Sequence, residues 1–322
     1  MIKILYIRQN SKGGTEHYCN ALYNMFRDDK ECIALPPENY PTIKSLPFHY
    51  YYKTHELRMA ISKADIIHVN GYTAMGTLQA IVLAYKMGKK IVYSAHWHPF
   101  RFLHFPLYSK IVFYILFRPL IHRYVETVIT INNEDTAFFK KIHPHVKQIP
   151  HWFDFNLPTQ FAPRKRNMIL FIGRLNDPVK GLEYLTHLKE GKYDIHCVGE
   201  GIMPTRSDFH QHVNISNKAL AELYIQASLV VIPSKYEAFS YVALEALFCG
   251  TPVLMSDRVR IADYLSGCSG YEIFHYGNYK EFTEKVETTI GQPVDISTAK
   301  DTFSQSHIKK LYSDIYKSCM KE

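Results

Sequence analysis

Among its 322 residues the chain has no Cys-x-x-Cys pair, no Asp-x-Asp, no Gly-x-Gly-x-x-Gly, no internal repeat and no low-complexity tract. Each absence excludes something. Cys19, Cys32, Cys197, Cys249, Cys268 and Cys319 are scattered, several in apolar patterns, and read as reduced core thiols of a cytosolic protein. No window approaches the ~18 uninterrupted apolar residues of a spanning helix. The chain runs directly into a strand pattern, Ile2 to Ile7, without a signal peptide, so the expected location is cytoplasmic. A two-domain dehydrogenase is disfavoured, because Pro204 stands where a fingerprint opened by Gly199-Glu200-Gly201 needs its third glycine.

What is present is a globular composition, 47% hydrophobic and 21% charged, with 24 Tyr and 19 Phe. The aromatic share hints at carbohydrate or membrane-interface contact. The formal charge of +8 is uneven. Residues 1–160 carry 19 Lys and Arg against 11 Asp and Glu, so the excess lies there, and residues 161–322 are balanced. An anionic surface or substrate facing the first half is expected; no recognised nucleic-acid module accompanies the charge, so nucleic acid is not expected as a partner.

Short apolar runs alternate with helical patterns. Strands are expected at Lys3–Ile7, Glu31–Leu35, Asp65–Val69, Lys90–Ala95, Thr127–Ile131, Met168–Ile172, Tyr193–Val198, Val213–Ser216, Leu229–Pro233, Thr251–Ser256 and Tyr271–Phe274. This is the pattern of an α/β protein with parallel sheets flanked by helices. The pattern pauses at the proline-broken stretch Ile149 to Pro158 and the basic Pro163-Arg164-Lys165-Arg166, which divides the chain into domain 1–150, linker 151–166 and domain 167–302. Residues 303–322 form a further helix, with Ile308, Leu311, Tyr312, Ile315, Tyr316 and Cys319 on one face, expected to pack back towards the first domain. Two open α/β domains joined by a hinge usually bind ligand at the carboxyl ends of their strands.

The residues that stand out chemically lie at such ends. Glu237 and Glu245 are eight positions apart across a loop-to-helix junction, with Ser240 as N-cap and Gly250 and Pro252 as stop signals. The helix between is apolar on nearly every side, where an ionised carboxylate is costly unless partnered. Arg174 follows the strand Met168–Ile172 and Lys180 opens the next expected helix; beside the helix starting at Ser240, two such cations suit a diphosphate. In the first half Gly13, Gly14 and Thr15 follow strand one and open a helix. His96-Trp97-His98 ends Lys90–Ala95; it invites a metal reading, but no third ligand is evident, and no metal site is assigned.

Residues 167–257 resemble the retaining GT-B glycosyltransferases of family 4 (glycosyl transferases group 1). Gly173-Arg174-Leu175 with Lys180-Gly181, Gly199-Glu200-Gly201, Pro233-Ser234, the Glu-x7-Glu segment and Cys249-Gly250-Thr251-Pro252-Val253 carry the match, in the family's order and with its usual separations. The resemblance implies two Rossmann-like α/β/α domains facing a central cleft. It also implies sugar transfer from a nucleoside-diphosphate sugar, UDP or GDP most of all, to a hydroxyl of a glycan or lipid-linked acceptor with retention, in cell-surface polysaccharide or lipopolysaccharide synthesis. Arg174 and Lys180 would bind the diphosphate and stabilise the leaving group, helped by the N–H groups of Ser240, Tyr241 and Val242. Glu245 would hold the ribose and Glu237 would face the anomeric carbon, as nucleophile or as electrostatic stabiliser. Gly13, Gly14 and Thr15 would approach the donor phosphate. His96, or as second choice His98, would contact the donor sugar. No cofactor beyond the co-substrate is implied, since cationic side chains do the leaving-group work. Ala238 and Ser240 stand where the family often has glycines, which predicts an altered loop shape. The metal-dependent enzymes of the other common glycosyltransferase fold would need the missing Asp-x-Asp. The remaining rivals are a nucleotide-sugar epimerase and a non-catalytic nucleotide-sugar or glycan-binding protein. The aromatic, basic segment from Phe100 to Tyr124 reads either as a partly buried helix or as a peripheral docking surface for the anionic inner face of the membrane.

Overall fold

The computed structural model describes residues 1–7, 14–36, 42–46, 49–71, 75–96, 107–153 and 163–321. The chain divides into two compact units, Met1–His151 with Ser306–Glu322, and Trp152–Gln305. Most of the expected linker, 154–162, lies outside the described residues.

The first unit contains β1 (Ile2–Ile7), β2 (Cys32–Ala34), β3 (Thr42–Leu46), β4 (His49–Tyr52), β5 (Ile66–Asn70), β6 (Lys90–Ala95), β7 (Thr127–Thr130) and β8 (Val146–Gln148). Six of these form a parallel sheet in the order β2-β1-β5-β6-β7-β8. The antiparallel hairpin β3–β4 stands apart from it. The sequence pattern does not foresee this hairpin, because Thr42–Leu46 and His49–Tyr52 lack a clear apolar alternation. The helices are α1 (Gly14–Phe26), α2 (Thr54–Ser62), α3 (Met75–Lys86), α4 (Leu107–Val112), α5 (Arg118–Tyr124) and α6 (Asn133–Lys140), with a π-helical turn at Phe113–Phe117 joining α4 to α5. The C-terminal helix Gln305–Cys319 packs on this unit through Ile308, Tyr312, Ile315, Tyr316 and Cys319, the face its periodicity marks.

The second unit has β9 (Met168–Ile172), β10 (Asp194–Val198), β11 (Phe209–His212), β12 (Leu229–Ile232), β13 (Val253–Ser256) and β14 (Tyr271–Phe274), with α7 (Asn217–Gln226), α8 (Tyr241–Phe248) and α9 (Tyr279–Thr289). All six strands are parallel, in the order β11-β10-β9-β12-β13-β14. That is the doubly wound Rossmann order, in which the direction of winding reverses between β9 and β12. Both sheets therefore carry the expected α/β architecture. The central strands are continuous apolar runs because both their faces are covered: Met168, Ile169, Leu170 and Phe171 are buried, as are Leu229 to Ile232. Each such side chain contributes about 2 kcal/mol on burial, so the sheet holds the loops at its rim in place.

Two local expectations are corrected. The strand expected at Val213–Ser216 lies four residues earlier, at Phe209–His212. Phe209 is the inward residue, opposite Ile195, whereas Val213 is 44% exposed and Ser216 leaves the sheet to cap α7, its Oγ accepting from the Ala219 N–H at 3.2 Å. The helix expected to open at Lys180 is a 3-10 helix, Leu182–His187, preceded by Gly181 in the left-handed conformation. Cys19, Cys32, Cys197 and Cys319 are buried, and Cys249 and Cys268 are half-buried. Among the described residues no helix is long and apolar enough to cross a membrane.

Candidate active site

Loops leaving β9 and β12 flank the point where the second sheet reverses its winding, and such a point leaves a crevice at the strand ends. Gly173 and Arg174 follow β9; Pro233 to Glu237 follow β12. Two glycines allow these loops to touch. Gly181 has φ +75°, and a Cβ there would collide with the Pro233 carbonyl. Gly199, at φ +148°, lies so close to the Gly173 carbonyl that no side chain fits. The Lys235 N–H then donates to the Val179 carbonyl at 2.7 Å, tying the Lys180 loop to the Glu237 loop.

That tie brings two of the sequence-predicted residues together. Lys180 Nζ donates to Glu237 Oε1 at 2.5 Å, and the two side chains keep 26% and 21% of their exposure. Ser234 Oγ also donates to Glu237 Oε1, at 3.3 Å. The backbone of Glu237 is fixed on both sides, its N–H donating to the Arg258 carbonyl at 3.2 Å and its carbonyl accepting from Arg260 at 3.1 Å. Arg174 is less enclosed: 74% exposed, it is paired through Nη2 with Asp177 Oδ2 at 2.5 Å. Burial alone would raise the Asp177 carboxyl, but hydrogen bonds from Arg174 and the Val179 N–H, with Lys180 nearby, hold it below the usual carboxylate range. Sequence reasoning gave Asp177 no role and named Ser234 only as part of the Pro233-Ser234 element of the match, without a function. Their signal was position alone, within three residues of Arg174 and Glu237.

Ser240 caps α8, its Oγ accepting from the Ala243 N–H at 3.3 Å. Its φ is +138° with ψ 102°, a conformation that L side chains rarely adopt and glycine adopts freely. The loop therefore keeps a glycine-like path at this position in spite of the serine. Tyr241 and Val242 supply the next N–H groups, at the positive end of the helix dipole. Glu245, one turn in, has its Oε2 hydrogen-bonded by the Tyr224 hydroxyl at 2.7 Å. Burial and the adjacent carboxylate keep the Tyr224 phenol well above its ordinary pKa, so it stays a neutral donor. This bond offsets part of the cost of an acid in an apolar helix, a partner that sequence reasoning had not supplied.

In the first unit, His96 follows β6 and is 8% exposed. Its ring lies edge-on to Tyr18, with centroids 4.7 Å apart, and stacks with His151 at 6.3 Å. Burial pushes the imidazole down to about 4, so it is neutral at physiological pH, and its buried Nε2 has no hydrogen-bond partner among the described residues. Beside it runs a network unforeseen in the sequence. His68 Nε2 bonds Ser94 Oγ at 2.7 Å, His68 Nδ1 bonds the Tyr316 hydroxyl at 2.8 Å, and Tyr316 meets the Tyr6 hydroxyl at 3.2 Å. Tyr18 bonds Ser94 at 3.2 Å and also Tyr312. Gly14 and Thr15 begin α1. Gly13 and His98 lie outside the described residues.

Residues 166–292 match the family model described as glycosyl transferases group 1. Over 223 residues the chain is 27% identical to an MMP alpha-(1->4)-mannosyltransferase of Mycolicibacterium hassiacum, covering 60% of this chain and 53% of that protein. The chain spans about half or less of the length of the curated relatives it matches. Among solved structures, HepE of Anabaena in complex with UDP-glucose superposes with a TM-score of 0.76 at 17% identity, over 99% of this chain and 100% of that one. The lipopolysaccharide outer core galactosyltransferase WaaB, in its apo form, gives 0.62 at 16% identity, over 99% and 98%. The fold is GT-B, with two Rossmann-like units.

Proposed function

We propose that the chain is a glycosyltransferase that moves a sugar from a nucleoside-diphosphate sugar to a hydroxyl of a glycan or lipid-linked acceptor, with retention at the anomeric carbon. The observation that carries this reading is the Lys180–Glu237 pair at the winding reversal of the second sheet, inside the segment that matches the glycosyltransferase family model. A donor diphosphate placed there would meet Arg174, Lys180 and the N–H groups at the start of α8. As the anomeric C–O bond breaks, negative charge grows on the β-phosphate, and fixed cations stabilise it more than the ground state. Lys180 would then exchange part of its contact with Glu237 for phosphate, leaving the Glu237 carboxylate for the positive charge that develops on the sugar ring. Glu245, oriented by Tyr224, suits two ribose hydroxyls. The neutral His96, whose Nε2 has no partner among the described residues, is chemically suited to a sugar hydroxyl.

UDP is the proposed carrier, by analogy with the UDP-glucose in the HepE complex. Polysaccharide or lipopolysaccharide synthesis, at the inner face of the cell membrane, is the proposed setting. It is supported by the surface of α4 and the adjoining π turn. Phe113, Phe117 and Ile121 are buried, while Leu107, Tyr108, Ile111, Tyr114, Ile115 and Leu116 are exposed beside Lys110 and Arg118. An apolar face rimmed by cations fits an anionic leaflet.

The test is a thermal-shift and turnover screen against UDP-, GDP-, ADP- and dTDP-sugars, with Arg174→Ala and Glu245→Gln as variants. Stabilisation by one donor class, weakened by both variants, supports the assignment; full donor affinity and turnover in both variants would sink it. Interconversion or release of the sugar with no acceptor present would point to the epimerase alternative.

A further inference from the structure

Away from the donor loops, strands β10 and β11 place Asp194, His196, His210 and His212 on one face of the sheet edge. The register explains why. His196 lies directly opposite His210 in the parallel ladder, and Asp194 and His212 are each two residues away along their own strands. The alternate residues Ile195, Cys197 and Phe209 take the opposite face and enter the apolar core. Asp194 Oδ1 lies 2.7 Å from His210 Nε2, and Asp194 Oδ2 lies 3.2 Å from His196 Nε2. The three ligand atoms, one from each residue, fall within 4.8 Å of one another.

We propose that Asp194, His196 and His210 form a divalent-cation site of zinc type that staples the edge strand β11 to β10. Two imidazoles and one carboxylate are the donor set of borderline metals such as Zn2+, not of Ca2+ or Mg2+, which take oxygen ligands. Bonds of about 2.0–2.1 Å in a tetrahedral site place ligand atoms about 3.3 Å apart. The observed 2.7 and 3.2 Å need only small side-chain rotations to reach that spacing. The second observation is the partner of His196 on its far side, where Nδ1 lies 2.8 Å from His212 Nε2. A ligating imidazole characteristically donates its other N–H to such an acceptor, which fixes its tautomer and ring plane. His196 is the enclosed ligand, its side chain 11% exposed; Asp194 and His210, at 44% and 47%, leave a route for the ion and room for a water as fourth ligand. For the ion to bind with no net proton release, His196 and His210 each move the Nε2 proton now directed at Asp194 to Nδ1, and His212 exchanges tautomer so that its Nε2 accepts from His196. The site lies along β10 before its carboxyl end, where Gly199 belongs to the donor loops, so the ion would act on the edge strand and not on the transferred sugar.

The experiment is calorimetric titration of the metal-free chain with Zn2+, repeated with Asp194→Asn, His210→Asn and His212→Asn, and an absorption spectrum with Co2+. Because Asp194 and His210 are half-exposed, their substitution leaves the fold intact. One equivalent bound by the parent chain, lost in Asp194→Asn and His210→Asn and weakened about 10- to 100-fold in His212→Asn, supports the site. So does a tetrahedral Co2+ spectrum without a thiolate charge-transfer band. A bound equivalent that is unchanged in Asp194→Asn and His210→Asn, a thiolate band, or no bound equivalent would overturn it.

Discussion

In the first unit the hydroxyl and imidazole groups of Tyr6, Tyr18, His68, Ser94, Tyr312 and Tyr316 meet in a fully enclosed network held by neutral hydrogen bonds. In the second, Arg174, Asp177, Lys180 and Glu237 meet as two ion pairs at strand ends and stay partly open to water. Enclosure is affordable in the first case because no group must carry charge: burial drives His68 down to about 3 and lifts the Tyr18 and Tyr316 phenols well above their usual range. The charged cluster keeps water because removing it would cost several kcal/mol per ion, and an open pair can exchange its partner for a ligand. The first arrangement is built for rigidity and the second for exchange.

The largest expected effect comes from removing one charge of the open cluster. Lys180→Ala should lower turnover with a nucleoside-diphosphate sugar by about 10²–10³-fold, the usual cost of one electrostatic donor at a developing charge. Glu237→Gln, which keeps the shape, should lower turnover comparably. Both should change unfolding free energy by about 1 kcal/mol or less, as expected for a pair that is partly solvated. Steady-state kinetics beside urea unfolding separates the two readouts. Unaltered turnover with lowered stability would show the pair to be structural and erase the contrast.

The two regions also differ in how much of them the sequence exposes to reasoning. Arg174, Lys180, Glu237, Ser240 and Glu245 fall within one run of 72 residues at strand ends, where glycine spacing and an acid in an apolar helix are local signals. The alternation of apolar runs likewise suffices for the parallel sheets. The enclosed network leaves no such trace. Tyr18 meets Tyr312 and His68 meets Tyr316 across separations of 294 and 248 residues, and each is an ordinary aromatic until the sheet and the C-terminal helix bring them together. The displaced strand β11 failed for a related reason. Phe-His-Gln-His carries one apolar residue, and only its register against β10 shows which face each histidine takes.

A smaller effect, on stability instead of turnover, tests the enclosed network. His68→Ala removes bonds to both Ser94 and Tyr316 and leaves a cavity, which should cost about 2–4 kcal/mol. The pH dependence sharpens it. The folded-state values, about 3 for His68 and about 4 for His96, lie below the ordinary 6.5. The unfolded chain therefore binds protons first, and this contribution to stability is complete above pH 6.5 and declines as pH falls through about 4 for His96 and about 3 for His68. In His68→Ala the decline should be shallower. An NMR titration showing either ring protonated near pH 6.5 would contradict the neutral enclosure.

Ser240 offers the finest test, because it sits in the open region yet carries strain of the kind expected at rigid sites. Its φ of +138° costs about 1–3 kcal/mol for a non-glycine residue, while its hydroxyl contributes the cap to Ala243. Ser240→Ala keeps the strain and loses the cap, so it should destabilise the chain by about 1 kcal/mol. Ser240→Gly loses only a few tenths of a kcal/mol as a cap and about 0.4–1 kcal/mol to the greater freedom of the unfolded chain, but relieves the strain. The net should be neutral to stabilising by up to about 2 kcal/mol. Donor affinity should survive in Ser240→Gly, since the contacts proposed at the start of α8 are backbone N–H groups that glycine also supplies. Urea unfolding of the two variants gives the order directly. Were glycine the less stable of the two, the serine would be held there by its hydroxyl and the backbone would not be paying for a glycine's path.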